Sequence, residues 1–430
     1  MKTFLSAAIA ACALLAACQQ VPPPASHADA AGNTLTDWPL PAPEGASGPD
    51  LSLAPDGRLL LSWTKPFDQA RHALQYTTFD GRGQWQWAPK TIAVGASMVT
   101  GWADVPHIAA TADGTIWANW LQKTRGEGRS HDIIVSHSTD DGMTWSAPVR
   151  VHDDGKAVEH GFVSFWPAAR DRLGVAWLDG RNTAGGAHAG HAMAGAQAAQ
   201  GAGDEATGMT SLRSVVVDTG SQLADAAEVD ASACDCCQTD VAVTARGPLL
   251  VYRDRTPEEI RDIHATRLEG NAWQAPRVVH ADGWKIDACP VNGPAVAAVG
   301  NDAVVAWYSA AGDMPMVQLA RSTDAGDAFA APVVVDRGEA VQGRVDVALD
   351  AKQAWVAWLR EDAKGQSLWL ARYAPDLSRE LSRTEVAKLQ GRGRGTGFPK
   401  LAVRGGEAFL VWTDLADGKA RLRGMRIRPR

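Results

Sequence analysis

The chain has 430 residues, 45% hydrophobic and 21% charged, and its 42 Gly and 23 Pro interrupt helices too often for a long helical bundle. Lys and Arg number 42 against 49 Asp and Glu, a formal charge of -7 with no basic tract, which excludes a nucleic-acid surface. The 17 Trp against 8 Phe and 4 Tyr point to one Trp-bearing unit used repeatedly.

Residues 1–17 read as a signal peptide: a Lys near the start, an apolar stretch from Phe4, and small residues before Cys18. About 14 apolar residues are too few to cross a bilayer, which needs about 20. The run Leu15-Ala16-Ala17-Cys18 resembles the bacterial lipobox. That resemblance implies a lipidated Cys18 as first residue of the mature chain. With Gln19 rather than Asp following, it implies anchoring to outer-membrane lipid on the periplasmic side. Residues 18–48 are rich in Pro, Ala and Gly and read as a tether. Within the tether, 33–41 carries Leu35, Trp38 and Leu40 and is available as a strand.

From 49 to 430 one pattern recurs: an apolar strand, a short Gly or Asp turn, and a second apolar strand ending in an aromatic residue. Those aromatics are Trp63, Trp120, Trp177, Tyr252, Trp307, Trp358 and Trp412, spaced by 51 to 57 residues except for one interval of 75. The long interval holds an Ala/Gly/His insertion at 184–208. Each unit continues with a third and a fourth strand, as in 133–138 and 149–151. A period near 50 with four short strands predicts an all-β fold, a β-propeller of seven blades. The seventh unit stops after its third strand, so 33–41 is expected to supply the missing outer strand and leave no open edge.

Between third and fourth strands, Ser138-Thr139-Asp140-Asp141-Gly142-Met143-Thr144-Trp145 matches the Asp-box, and Ser322-Thr323-Asp324-Ala325-Gly326-Asp327-Ala328-Phe329 is a looser copy. The Asp accepts backbone N–H groups inside the turn, and the Gly takes a conformation that other residues resist. On these motifs the chain resembles the sialidase superfamily of BNR-repeat propellers. Sialidases have six blades, so seven is a departure, and a six-bladed ring with one irregular excursion is the alternative. The Arg-Ile-Pro segment that opens sialidase domains is absent. The resemblance implies an Arg triad gripping a substrate carboxylate, a Tyr nucleophile backed by Glu, and an Asp acid/base. Tyr308 or Tyr252, Glu259 or Glu361, and Asp254 or Asp179 are the residues available for those roles.

In a propeller the starts of inner strands and the ends of second strands share one face, and ligands meet the loops there. His107, His160, the run Cys234-Asp235-Cys236-Cys237 and Cys289 stand at starts of inner strands. Asp179, Arg181, Arg253, Asp254, Arg255, Tyr308 and Arg360-Glu361 stand at ends of second strands, with Glu258, Glu259 and Arg261 just beyond. Of six Cys, Cys12 leaves with the signal peptide and Cys18 is committed to lipid, so four remain at the starts of two successive units. Disulfides, for example Cys289 with a member of the triplet, suit an oxidising periplasm. Soft sulfur ligands equally suit copper or zinc, and one bridge would still leave two thiols. His188, His191 and Met193 in the insertion are copper-compatible ligands, or incidental residues of a low-complexity loop.

Arg181, Arg253, Arg255 and Arg261, joined by Arg344 and Arg392 or Arg394, make a cationic mouth suited to a carboxylate, or else a self-neutralising ion-pair network. The leading expectation is therefore a monomeric propeller holding a transition metal, copper before zinc. Cys234, Cys236, Cys237, Cys289, His188, His191 and Met193 are its candidate ligands. The alternatives are an exo-α-sialidase type of glycoside hydrolase, taking an anionic glycan through Arg181, Arg253, Arg255, Arg261, Asp179, Asp254 and Tyr308, and a non-catalytic interaction platform.

Overall fold

A computed structural model describes residues 24–86, 88–124, 130–183 and 208–430. The second strand of each unit is a near-continuous apolar run, and such runs form strands buried on both faces. Leu59, Leu60 and Leu61 in one unit, and Val304, Val305 and Trp307 in another, are fully buried. Each sits in an antiparallel sheet, and the sheets follow one another along the chain as blades one to seven.

Blade one comprises Ser47–Leu53, Leu59–Pro66, His72–Phe79 and Lys90–Gly95. In blade two, Ile116–Lys123, His131–Ser138 and Val149–Arg150 follow a divided inner strand. Met98–Val99 and Ile108–Ala110 both pair with Ile116–Lys123, and the residues between them leave the sheet. Blade three is His160–Ala169, Arg172–Asp179, Ser211–Asp218 and Leu223–Asp230. Blade four is Asp240–Thr244, Gly247–Arg253, Ile263–Glu269 and Arg277–His280, with the short strand Ala272–Trp273 also on its third strand. Blade five is Ala295–Val299, Asp302–Ser309, Met316–Ser322 and Val333–Arg337. Blade six is Val341–Leu349, Ala354–Asp362, Gly365–Tyr373 and Glu380–Leu389. Blade seven is Lys400–Arg404, Glu407–Ala416 and Lys419–Arg428, and its fourth strand is Thr34–Asp37 from the other end of the chain, with Leu35 opposite Ile427. Ser26–Ala28 adds a fifth strand outside it.

Each inner strand packs against the inner strand of the next blade, and blade seven returns to blade one, so the ring is closed with seven members. Hydrophobic clusters fill the gaps between neighbouring blades. Leu249, Val251, Val305 and Trp307 join blades four and five, and Leu61, Trp63, Phe409 and Val411 join seven and one. From Ser26 onward the Pro/Ala-rich stretch is built into this ring rather than trailing from it. Leu35 is fully buried, and Trp38 packs on Trp85, Phe79 and Phe409.

The two third-to-fourth strand turns share one hydrogen-bond plan. Ser138 Oγ donates to Asp140 (2.7 Å) and accepts from Gly142 N–H (2.8 Å), while Asp140 Oδ1 accepts from Thr144 N–H (2.9 Å). Ser322, Asp324, Gly326 and Ala328 repeat it at 2.7, 2.8 and 3.0 Å. These turns lie at the end of the strands opposite the candidate site and serve the scaffold.

A central channel of about 480 Å³ runs between the inner strands. Its carboxylates tie blade to blade: Asp50 accepts from Ile108 N–H, Asp104 from Phe162, Asp240 from Val296 and Asp346 from Leu401, at 2.7 to 2.9 Å. The excursion before Ile108 covers one end of the channel. Trp102 stacks on Phe398 beside blade seven, and Ala103 C=O accepts from Gln238 ahead of blade four. Among the described residues no helix is long and apolar enough to cross a membrane.

Candidate functional site

Ahead of blade four, the segment from Ala233 to Cys237 turns back over the end of the second strand, where Cys234 N–H donates to Arg253 C=O (2.9 Å). Cys234, Cys236 and Cys237 are buried together, with Phe162, Cys289 and Val291 against them. Cys236 and Cys289 form a disulfide linking the start of blade four to the segment before blade five. Cys234 and Cys237 are free thiols, their Sγ atoms 2.8 Å apart, and Cys234 Sγ lies 3.8 Å from that of Cys236. The sequence therefore locates the sulfur cluster and allows one bridge with two thiols left over, but which member of the triplet pairs with Cys289 comes from the structure: Cys236 does, leaving a Cys-x-x-Cys thiol pair at Cys234 and Cys237.

Guanidinium groups surround these sulfurs. Arg261 is fully buried, its Nη1 donating to Cys234 Sγ (3.4 Å) while Nε and Nη2 hold Glu259 (3.1 and 2.7 Å). Burial acts to raise the Cys234 thiol, but the hydrogen bond from Cys237 and the charges of Arg261 and Arg253 outweigh it and bring it down to about 7. Burial pushes the Cys237 thiol up, and the neighbouring Cys234 pushes it further. The pair is thus asymmetric: one sulfur readily becomes a thiolate, and the other keeps its proton. Glu259 adopts a left-handed backbone (φ 65°), a strained conformation that sets its carboxylate between Arg261 and Arg255 (2.6 Å).

Two of the arginines read from the sequence, Arg253 and Arg181, are committed to partners within the protein and do not line the mouth cavity. Arg253 is 1% exposed and gives its donors to backbone carbonyls: Asn292 (3.1 and 2.7 Å), Arg261 (2.6 Å) and Tyr308 (2.7 Å). Arg181 forks onto Asp179 at 2.8 and 2.7 Å. Asp254 accompanies His264 of blade four and Asp230 at the end of blade three, and burial raises its carboxyl. Tyr252 is buried and donates to Asp230, whereas Tyr308 is half-buried at the mouth. His188, His191, Met193 and Cys18 lie outside the described residues.

A cavity of about 860 Å³ opens beside the sulfur cluster, lined by Trp284, Pro290, Asn292, Tyr308, Arg344, Glu361, Arg392, Arg394 and the capping Trp102. Arg344 and Arg394 both approach the Trp102 ring, at 5.0 and 5.7 Å from its centroid. Arg344 stands at a bulge in the inner strand of blade six with φ 53°, a backbone kink that re-aims its side chain. Burial lowers its guanidinium to about 10, Glu361 opposing and Arg394 adding to the fall.

No protein-family model matches the chain, and no curated protein does. Solved structures resemble it in fold. Polysaccharide lyase Uly1 is 9% identical over 91% of each chain, with a TM-score of 0.49. An α-L-arabinanase of Penicillium chrysogenum is 13% identical over 94% of this chain and 98% of that one, with a TM-score of 0.45. A Hadza microbial sialidase is 15% identical over 73% and 63%, with a TM-score of 0.40.

Proposed function

We propose that the protein is a periplasmic lipoprotein, anchored through Cys18, whose propeller binds monovalent copper at Cys234 and Cys237. The observation that carries this reading is the buried Cys-x-x-Cys pair of free thiols beside two buried guanidinium groups. Soft thiolates favour Cu(I) over harder ions. A copper ion held by two thiolates carries one net negative charge, which Arg261 and Arg253 offset in a site that excludes water. Zinc would need further ligands beyond the pair, which ranks it second.

The test is a competition titration of the reduced Cys18→Ser chain with a chromogenic Cu(I) chelator. One copper per chain is expected, lost in Cys234→Ser and in Cys237→Ser. A chain that stays folded, presents both thiols and still leaves all copper with the chelator would defeat the reading. A second reading, an exo-sialidase type of hydrolase, draws on the mouth cavity, where Arg344 and Trp102 offer a cationic and an aromatic surface to an acidic sugar. Release of a fluorogenic aglycone from a sialoside, abolished in Arg344→Met, would favour it.

A further inference from the structure

The junction of blades two and three holds a second cluster of metal-ligating side chains, which the thiol site does not use. His160 opens the inner strand of blade three, Asp179 ends its second strand, and Asp154 lies in the segment leading into the blade. His160 Nε2 is 3.2 Å from Asp154 Oδ2 and 3.7 Å from Asp179 Oδ1, and all three side chains are almost wholly buried. The three ligand atoms lie within 4.8 Å of one another. The other ring nitrogen, Nδ1, is 3.1 Å from the carbonyl oxygen of His131. A carbonyl only accepts, so Nδ1 carries a proton, and in the neutral ring Nε2 turns its lone pair toward two carboxylates. Three electron-rich atoms converge in a buried site only if positive charge sits among them. Arg181 supplies positive charge to Asp179 from its outer side, so the charge between His160 and the facing oxygens is a second ring proton or a metal ion.

We propose that His160, Asp154 and Asp179 bind a divalent ion of the zinc class. The separations of 3.2 and 3.7 Å bracket the edge of about 3.4 Å expected of a tetrahedron with bonds of about 2.1 Å. Each ligand is also held from behind, as metal ligands are. His160 is fixed by the His131 carbonyl. His152 stacks on it at 3.6 Å and donates from Nδ1 to Asp154 Oδ1 (2.9 Å). Asp179 Oδ2 accepts from Trp177 Nε1 (2.8 Å) and Arg181 Nη2 (2.7 Å), while Oδ1, the oxygen facing His160, also accepts from Arg181 N–H and Nε at 2.9 and 2.8 Å. The ion therefore shares that oxygen with Arg181, which leaves Asp154 and His160 as the stronger ligands. An imidazole with carboxylates selects zinc, cobalt or nickel over calcium or magnesium.

The experiment is a Co(II) titration of the full chain in a Cys234→Ser, Cys237→Ser background, so that sulfur cannot contribute. One equivalent is expected to bind with visible d–d bands and no thiolate charge-transfer band, and zinc is expected to displace it. His160→Ala should abolish the bands, and His152→Phe, which removes only the support for Asp154, should weaken binding about 10- to 100-fold. Should His160→Ala fail to fold, Asp154→Asn serves in its place with the same expected loss. A folded background chain that takes up neither cobalt nor zinc, with both His160 nitrogens protonated by ¹⁵N NMR, overturns the proposal. Uptake that survives His160→Ala and Asp154→Asn overturns it equally.

Discussion

Arg261 reaches from the loop after the second strand of blade four to donate to Cys234 Sγ at 3.4 Å, so a fully buried guanidinium and a fully buried sulfur neutralise each other. Arg261→Gln keeps a hydrogen-bond donor and removes the charge. The Cys234 thiol, brought down to about 7 in the native protein, should rise by about one unit or more, since one unit corresponds to about 1.4 kcal/mol of charge interaction. The ultraviolet absorbance of the thiolate, followed against pH, measures the change. An unaltered titration would mean that Cys237 and Arg253 set the acidity of Cys234 without Arg261.

Two glycines test what the strand turns contribute. Gly142 has φ 76°, and a Cβ there would stand 1.8 Å from the Tyr76 hydroxyl, which itself donates to Asp141 C=O. Gly57 has φ 83° but open space around the added carbon. Gly57→Ala should cost about 1 kcal/mol from backbone strain alone, and Gly142→Ala about 3 kcal/mol because overpacking is added. Equal losses in denaturant unfolding would show that Tyr76 moves aside freely.

Much of this architecture was legible in the chain. The aromatic positions from Trp63 to Trp412 fall inside the seven second strands, each of which runs on past its aromatic residue, because each blade needs an apolar second strand, and a repeated need writes a repeated pattern. The gathering of Cys234, Cys236, Cys237 and Cys289 followed from the same periodicity. What could not be read was how the sulfurs divide, or that Arg253 spends its donors on carbonyls of Asn292, Arg261 and Tyr308. Those depend on side-chain direction inside loops, where no period constrains the chain. Of the His160, Asp154 and Asp179 cluster, the sequence placed His160 and Asp179 on the ligand-facing side but not Asp154, which lies in the loop before the blade. The cluster's members occupy a loop, a strand start and a strand end, and only the pairing of His160 with Asp179 across two strands unites them.

Ring closure rests on a short strand with a single deep anchor. Leu35 is fully buried opposite Ile427 and packs into the core between blades six and seven. Leu35→Ala should cost about 3 kcal/mol, as for other buried Leu truncations. The loss should appear as early hydrogen exchange in Lys419–Arg428, the strand that Thr34–Asp37 covers. Exchange rising uniformly over all seven blades would instead make the closure inseparable from global unfolding.

Lys400 stands in the central channel among Asp50, Asp240 and Asp346, 3.5 Å from Asp50, and their charges hold its ammonium above the usual lysine range despite burial. Burial raises Asp240 to about 7 and Asp346 to about 6, their mutual repulsion or that of Asp50 adding to it, from an ordinary value of 3.8. A carboxyl raised on folding binds more protons folded than unfolded between about pH 4 and 7, so its contribution is greatest at low pH and is lost as pH rises through that window. Lys400 is most needed where these carboxylates are ionised. Lys400→Met should therefore lower the melting temperature by several degrees, about 5 °C, at pH 8 and by less than half as much at pH 5, where Asp240 and Asp346 hold protons. Asp240→Asn should flatten the fall in stability between those pH values. A Lys400→Met loss of equal size at pH 5 and pH 8 would place the stabilisation in the pair with Asp50, which stays ionised at both pH values, or in the lysine stem, rather than in Asp240 and Asp346.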